Sequence, residues 1–217
     1  MKKKQLFTMV GSLALVGAIG AGATLAYLSD TEGQLTNTFT MGESINIFLD
    51  EKNNDSTSDD KRVEKGNDYV DVLPGVPVFK DPTVTVERVG EEGVVTEQYV
   101  FMSVKKGSDV TLDIDDTNWL PITDNVDGVD VYYYLTTVTG TTNDLKDSDA
   151  ETTEGYNPGI QLPPLFSHVT VDADVQANTK IDNVLVKAAS VQKGNFTSAQ
   201  DAYDSVTAIS QHLTTFQ

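Results

Sequence analysis

The chain has 217 residues and a formal net charge of −18, with 33 acidic against 15 basic residues and no cysteine. So acidic a chain repels phosphate backbones and anionic surfaces, which excludes nucleic acid as a partner. The missing thiols exclude cysteine catalysis, cysteine-held metals and disulfides, so the fold rests on its hydrophobic core.

Lys2, Lys3 and Lys4 precede an uncharged run from Gln5 to Ser29. A basic start followed by an apolar stretch has the form of a secretory signal peptide. The stretch is nearly long enough to span a bilayer, but small residues close it, and both Ala21-Gly22-Ala23 and Thr24-Leu25-Ala26 fit a signal peptidase. We expect residues 1–26 to be a signal peptide, cut between Ala26 and Tyr27, with the membrane a partner only before cleavage. Removal takes three basic residues and no acid, so the net charge becomes −21. The remaining length, about 190 residues, suits one domain with a sizeable core. Its expected location is outside the cell, in an extracellular matrix or at the cell surface.

Residues 27–41 come next. From Gly33 to Gly42 there is no charge, which is unusual in so acidic a chain. Leu35, Asn37, Phe39 and Met41 share one alternation, so an extended strand carries them on one face. A strand of that kind suits addition to an exposed sheet edge, where few charges need desolvation. We expect these residues to form an assembly segment that enters a neighbouring copy. The plainer reading makes them the first strand of the monomer, or a linker.

From residue 42 to 217 the pattern is that of strands. Ile45, Ile47 and Leu49 alternate with Ser44, Asn46 and Phe48, and β-branched or aromatic runs recur at Val84–Val89, Gln98–Val104, Val110–Ile114, Val129–Leu135, Val169–Ala173 and Ile181–Ala188. Turn-rich pieces separate them: residues 53–60, Pro74-Gly75, residues 90–93 and Asn157-Pro158-Gly159. Thr139 to Gly155 is polar and acidic, and reads as a mobile loop. Short strands at this spacing predict an all-β antiparallel sandwich with long polar loops. One helix is predicted near the C-terminus, capped by Thr197 or Ser198 with Asp201 three residues after the serine. Ala199, Ala202, Tyr203, Val206, Ile209 and Leu213 form its apolar stripe.

Chemistry-bearing clusters are few. His168 and His212 are the chain's two histidines, and neither belongs to the H-E-x-x-H motif that would hold a catalytic zinc. Asp113, Asp115 and the group Asp124, Asp127 and Asp130 are candidates for a weak structural calcium site, although Asp-rich turns are usually just solvated. No other cofactor is expected. Trp119 reads as a packing anchor.

Ala26-Tyr27-Leu28-Ser29-Asp30-Thr31, followed by Asn37-Thr38-Phe39-Thr40-Met41-Gly42-Glu43-Ser44-Ile45-Asn46-Ile47, resembles the N-terminal pattern of the TasA and camelysin (CalY) family of biofilm-matrix fibre proteins from Gram-positive bacteria. The spacing slips by one residue before Ile45. Leu73-Pro74-Gly75, Lys80–Val86, Tyr132-Tyr133-Tyr134, Pro163–Val169, Ala188–Gln192 and Ala199–Tyr203 resemble later parts of the family in the same order. The acidic stretch between Asp50 and Asp71 departs from it. The resemblance implies a jelly-roll-like β-sandwich exported with a SipW-type signal peptide and processed by a dedicated peptidase. It implies a structural subunit, not an enzyme, that joins itself head to tail by donor-strand complementation and meets other matrix proteins. Two alternatives stand beside it: a secreted camelysin-like metallopeptidase, and a monomeric matrix accessory protein.

Overall fold

The computed structural model describes residues 29–32, 45–54, 62–64, 66–87, 95–122, 128–140, 159–176 and 179–216. Within them lie thirteen strands: β1 (Ser29–Glu32), β2 (Asn46–Lys52), β3 (Arg62–Val63), β4 (Val78–Phe79), β5 (Thr83–Glu87), β6 (Val95–Lys105), β7 (Val110–Ile114), β8 (Trp119–Pro121), β9 (Val129–Tyr134), β10 (Val138–Gly140), β11 (Gly159–Gln161), β12 (Phe166–Val171) and β13 (Leu185–Gln192). Two helices follow, α1 (Ala199–Ser205) and α2 (Thr207–Thr214). None of the described helices is long and apolar enough to cross a membrane.

All the strand pairs are antiparallel. One layer is a six-stranded sheet in the order β1-β13-β6-β9-β8, with β10 also on β6. The other comprises the sheets β11-β5-β2-β3 and β4-β12-β7. These two sheets are nearly continuous, because β4 and β5 are separated only by Lys80-Asp81-Pro82. Proline has no N–H for the ladder, and at this break the Pro82 carbonyl accepts from Leu165 N at 3.1 Å.

The expected all-β sandwich is therefore the fold. Its middle strand is β6, buried on both faces, which explains why that run lacks the polar alternation of a half-exposed strand. Val100, Met102 and Val104 enter the core between the layers, with Ile47, Val84, Val86, Trp119, Leu165 and Phe166. Tyr99 and Phe101, on the opposite face, pack under the helices with Val131, Ala189, Val191, Ile209 and Leu213. The register shift between Val138–Gln98 and Gly140–Val95 is a bulge, and it keeps Val95 in the inter-layer core.

Particular expectations fare differently. Val110–Ile114 is the strand β7, whereas β12 begins before the predicted run and β13 extends past its run to Gln192. Trp119 is fully buried, and its ring nitrogen donates to the Pro163 carbonyl at 3.1 Å, as befits an anchor. The predicted single helix is two. The Ser198 hydroxyl accepts from Asp201 N as the capping reading requires, but Val206 leaves helical geometry at φ −102° and ψ 84°. Asp201 turns back to Thr197 N, not Ser198 N, at 2.9 Å. Val206 stays buried, so the break does not interrupt the stripe. Thr139 and Gly140, predicted as loop, belong to β10, and residues 141–155 lie outside the described set.

Candidate assembly site

The N-terminal strand occupies an edge. β1 pairs with β13 over four positions, Ser29–Val191, Asp30–Ser190, Thr31–Ala189 and Glu32–Ala188. On its other side β13 pairs with β6 along its whole length. Each row thus runs from β1 through β13 to β6, for example Asp30–Ser190–Val100 and Thr31–Ala189–Phe101. Ser190 and Ala188 belong to rows that enter the inter-layer core at Val100 and Met102. Ala189 and Val191 belong to rows that pack under the helices.

The expected assembly residues are only partly met by this picture. Leu35, Asn37, Phe39 and Met41 lie outside the described residues, as do Ala26 and Tyr27. The strand on the edge is the polar stretch Ser-Asp-Thr-Glu just before them. Its backbone, rather than an apolar stripe, makes the match: each residue carries one donor and one acceptor for the ladder, whatever its side chain.

A second edge belongs to β4. The Tyr69 hydroxyl donates to the Phe79 carbonyl at 3.1 Å. Burial, and then the charge of Glu51, pushes Tyr69 up to about 12, so it stays a proton donor. Around this strand Val70, Leu73, Val76 and Phe79 are exposed. The Leu73-Pro74-Gly75-Val76 turn closes with Val76 N donating to the Leu73 carbonyl at 3.1 Å, and Gly75 has φ 77°. A left-handed third residue after proline is the type II arrangement, which favours glycine.

Sequence reasoning missed the charged cluster that holds this side. Arg62, on β3, donates from Nε to Asp50 at 2.7 Å and from Nη1 to Asp81 at 2.9 Å. Its Nη2 reaches the backbone carbonyls of both acids. The Lys52 amide donates to Asp81 at 2.7 Å, and Lys80 pairs with Glu51, whose other oxygen accepts from Asn67 N and Nδ2. Burial raises Asp50 to about 6 despite the opposing pull of Arg62. A lone arginine inside an acidic polar stretch was the available signal.

The calcium candidates are spread out and partly engaged. Asp113 accepts from the amides of Ser167 and His168 at 2.8 and 2.6 Å and meets His168 Nδ1 at 2.9 Å. Burial opposes ionisation there, but the hydrogen bonds from His168 and Ser167 hold Asp113 below the ordinary carboxylate value. Asp115 accepts from Thr117 N and from Asn118 N and Nδ2. Asp130 lies in β9, while Asp124 and Asp127 lie outside the described residues. Among the described residues no three His, Cys, Asp or Glu side chains gather as a metal site would need. His168 is on β12, and His212 is in the last turn of α2 across the six-stranded sheet, so the fold separates the two histidines.

Compared with protein-family models, with curated proteins and with solved structures, the chain matches none.

Proposed function

We propose that this chain is an exported structural subunit of extracellular, biofilm-type fibres. Each copy lends its N-terminal strand to the sheet edge of the next. The observation that supports this most is the pairing of β1 with β13, a strand of four residues held at a sheet edge. An element so short, at one end of the chain, can be exchanged for the identical element of a neighbour with no new type of contact. Head-to-tail exchange is a heterologous contact, and it builds an open filament unless the rotation closes a ring. The uncharged run Gly33–Gly42 adds a stretch that a neighbour's surface can cover without desolvating charge. The resemblance of the N-terminal motif to matrix fibre proteins points the same way. Export would supply the gate: a signal peptide tethers the strand until a peptidase frees Tyr27. In this reading the protein acts without a catalytic residue or cofactor, and its partners are other copies of itself and further matrix proteins.

Electron microscopy of the purified chain starting at Tyr27 should show filaments, and a chain starting near Gly42 should remain dispersed. Filaments from both would refute strand addition. Casein digestion abolished by a chelator would replace the structural reading with an enzymatic one.

A further inference from the structure

Glu51 holds two side chains that can react with each other. Lys80 Nζ pairs with its Oε2, and Asn67 Nδ2 donates to its Oε1 at 2.7 Å. The side chains of Lys80 and Glu51 are only 11% and 5% exposed, and the Tyr69 ring lies 6.0 Å from Nζ. Glu51 comes from β2, Asn67 from the stretch between β3 and β4, and Lys80 from the link between β4 and β5. A buried ion pair is a weak source of stability, and this one sits against an amide whose polar atoms are all engaged. Asn67 Nδ2 also donates to the Lys52 carbonyl at 2.6 Å, and its Oδ1 accepts from Asn54 N at 3.0 Å. Only this orientation turns the nitrogen to two acceptors and the oxygen to a donor. The Asn67 backbone N–H donates to Glu51 Oε1 at 2.8 Å as well, which steadies the carboxylate. These are the parts of an acyl transfer: a primary amine, an amide carbon, a carboxylate touching both, and a backbone N–H on the oxygen where negative charge collects.

We propose that Lys80 and Asn67 join in an intramolecular amide bond, which the folded chain forms on itself with Glu51 as the proton shuttle. Glu51 takes a proton from Lys80 Nζ, and the freed lone pair attacks Asn67 Cγ. The carbonyl electron pair moves onto Oδ1, against the Asn54 N–H. Glu51 then passes its proton to Nδ2, the Cγ–Nδ2 bond breaks, and ammonia leaves as the carbonyl re-forms. The extra proton left on Nζ travels through Glu51 to the ammonia, so an ammonium ion departs and the carboxylate is regenerated. No oxidant, reductant or cofactor enters. One carboxylate holding both reactants makes the step unimolecular, and the shielded setting keeps water from competing. The new bond closes a loop over residues 67–80, which carries the whole β4 edge. In a chain with no cysteine it is the covalent brace that a disulfide supplies elsewhere. The reaction happens once and turns over no substrate, and it does not depend on strand exchange.

Mass spectrometry of the chain, folded and then denatured, tests this. Its mass should lie about 17 Da below that of its sequence, the loss of one ammonia. Trypsin should fail at Lys80 and release a single peptide from Gly66 to Arg88, lighter by the same amount. Glu51→Gln, Lys80→Arg and Asn67→Ala should each restore the full mass, with trypsin cutting after residue 80. A parent chain of full mass, cut at Lys80, would overturn the proposal, and that result decides even where a variant fails to fold. A loss of about 18 Da, one water, would also overturn it by placing the link on Glu51 itself. So would an ammonia loss that survives Lys80→Arg, since that is an asparagine cyclising on its own backbone. The mass is the same before and after assembly, so the two readings fail separately. Dispersed chains that have lost ammonia refute the fibre alone, and filaments of full-mass chain refute the brace alone.

Discussion

The β13 edge and the β4 edge end different sheets of the same sandwich, and they are closed by opposite means. At β13 a four-residue strand from the N-terminal part of the chain supplies backbone groups. At β4 a side chain does the work, with Tyr69 covering the Phe79 carbonyl, and the charged cluster of Arg62, Asp50, Asp81, Glu51 and Lys80 bracing the strands behind it. A strand can be replaced by an identical strand from another molecule, whereas a tyrosine fixed within its own layer cannot. The difference teaches where exchange is possible: an edge closed by backbone is open to a competitor, and an edge closed by packed side chains is protected.

The strongest way to break this contrast is to loosen the braced side. Arg62 is the shared partner of Asp50 and Asp81, and all three side chains are nearly buried. Arg62→Ala should destabilise the fold by about 3–5 kcal/mol, because two carboxylates are left in the interior without a counter-charge. Denaturant unfolding at neutral pH measures it. A loss below about 1 kcal/mol would mean the cluster is solvated, and that the β4 side is no more rigid than the β13 side.

The same cluster shows what a sequence alone conveys. Alternation placed the strands well because burial of one face leaves a period of two, as at Ile45, Ile47 and Leu49. The capping pattern separately offered Thr197 or Ser198, of which Ser198 is the cap, and Trp119 read as the anchor it is. Alternation did not show β3, since two residues in an acidic stretch have no periodicity, and their strand is held by the long-range Arg62 contacts. Nor could it show Gly159 as obligatory: an added Cβ there would lie 2.2 Å from the Val86 carbonyl, a clash that exists only once β11 has paired with β5. At the N-terminus the expected segment, Leu35 to Met41, lies outside the described residues, and the polar strand Ser29–Glu32 has no apolar alternation by which to read it. Its partner was no more legible, because Ser190 in the run Ala-Ala-Ser-Val reads as one more small strand residue until β6 and β1 flank it.

Acidity offers a second, smaller probe of the braced side. Burial raises Asp50 from its ordinary 3.8 to about 6, so between those values the folded chain holds a proton that the unfolded chain has released. Its contribution to stability is full below pH 4 and is lost as pH rises through 6, a difference of about 2–3 kcal/mol. Unfolding free energy should therefore rise as pH falls from 7 to 4. Asp50→Asn should flatten that rise while keeping an acceptor for Arg62. An unchanged slope in the variant would assign the effect to relief of general charge repulsion instead.

Proline tests the backbone side. Asp30→Pro together with Thr31→Pro removes the ladder N–H of two consecutive residues, so one of the donors facing β13 is lost whichever way the pleat runs. The expected loss in stability is about 1–2 kcal/mol. Exchange across Ala188–Val191 should approach that of exposed amides, and filament formation should stop. Retained protection at those amides would show that something other than β1 closes the edge, and the contrast between the two edges would lose its premise.

The smallest effect sharpens the comparison most. Tyr69→Phe keeps the ring, which lies 6.0 Å from Lys80 Nζ, and removes only the hydroxyl that covers the Phe79 carbonyl. One neutral hydrogen bond at a partly exposed site contributes about 1 kcal/mol, so the fold should survive with its unfolding midpoint slightly lowered. What should change is association. With its carbonyl bare and Val70, Leu73, Val76 and Phe79 exposed nearby, the β4 edge becomes available to another chain. Sedimentation at high protein concentration should then detect a weak self-association that the parent chain lacks at the same edge. It should persist in the variant carrying the two prolines, because it does not use β1. If the association instead disappears with those prolines, both edges belong to one assembly surface, and the tyrosine is part of the acceptor rather than a guard.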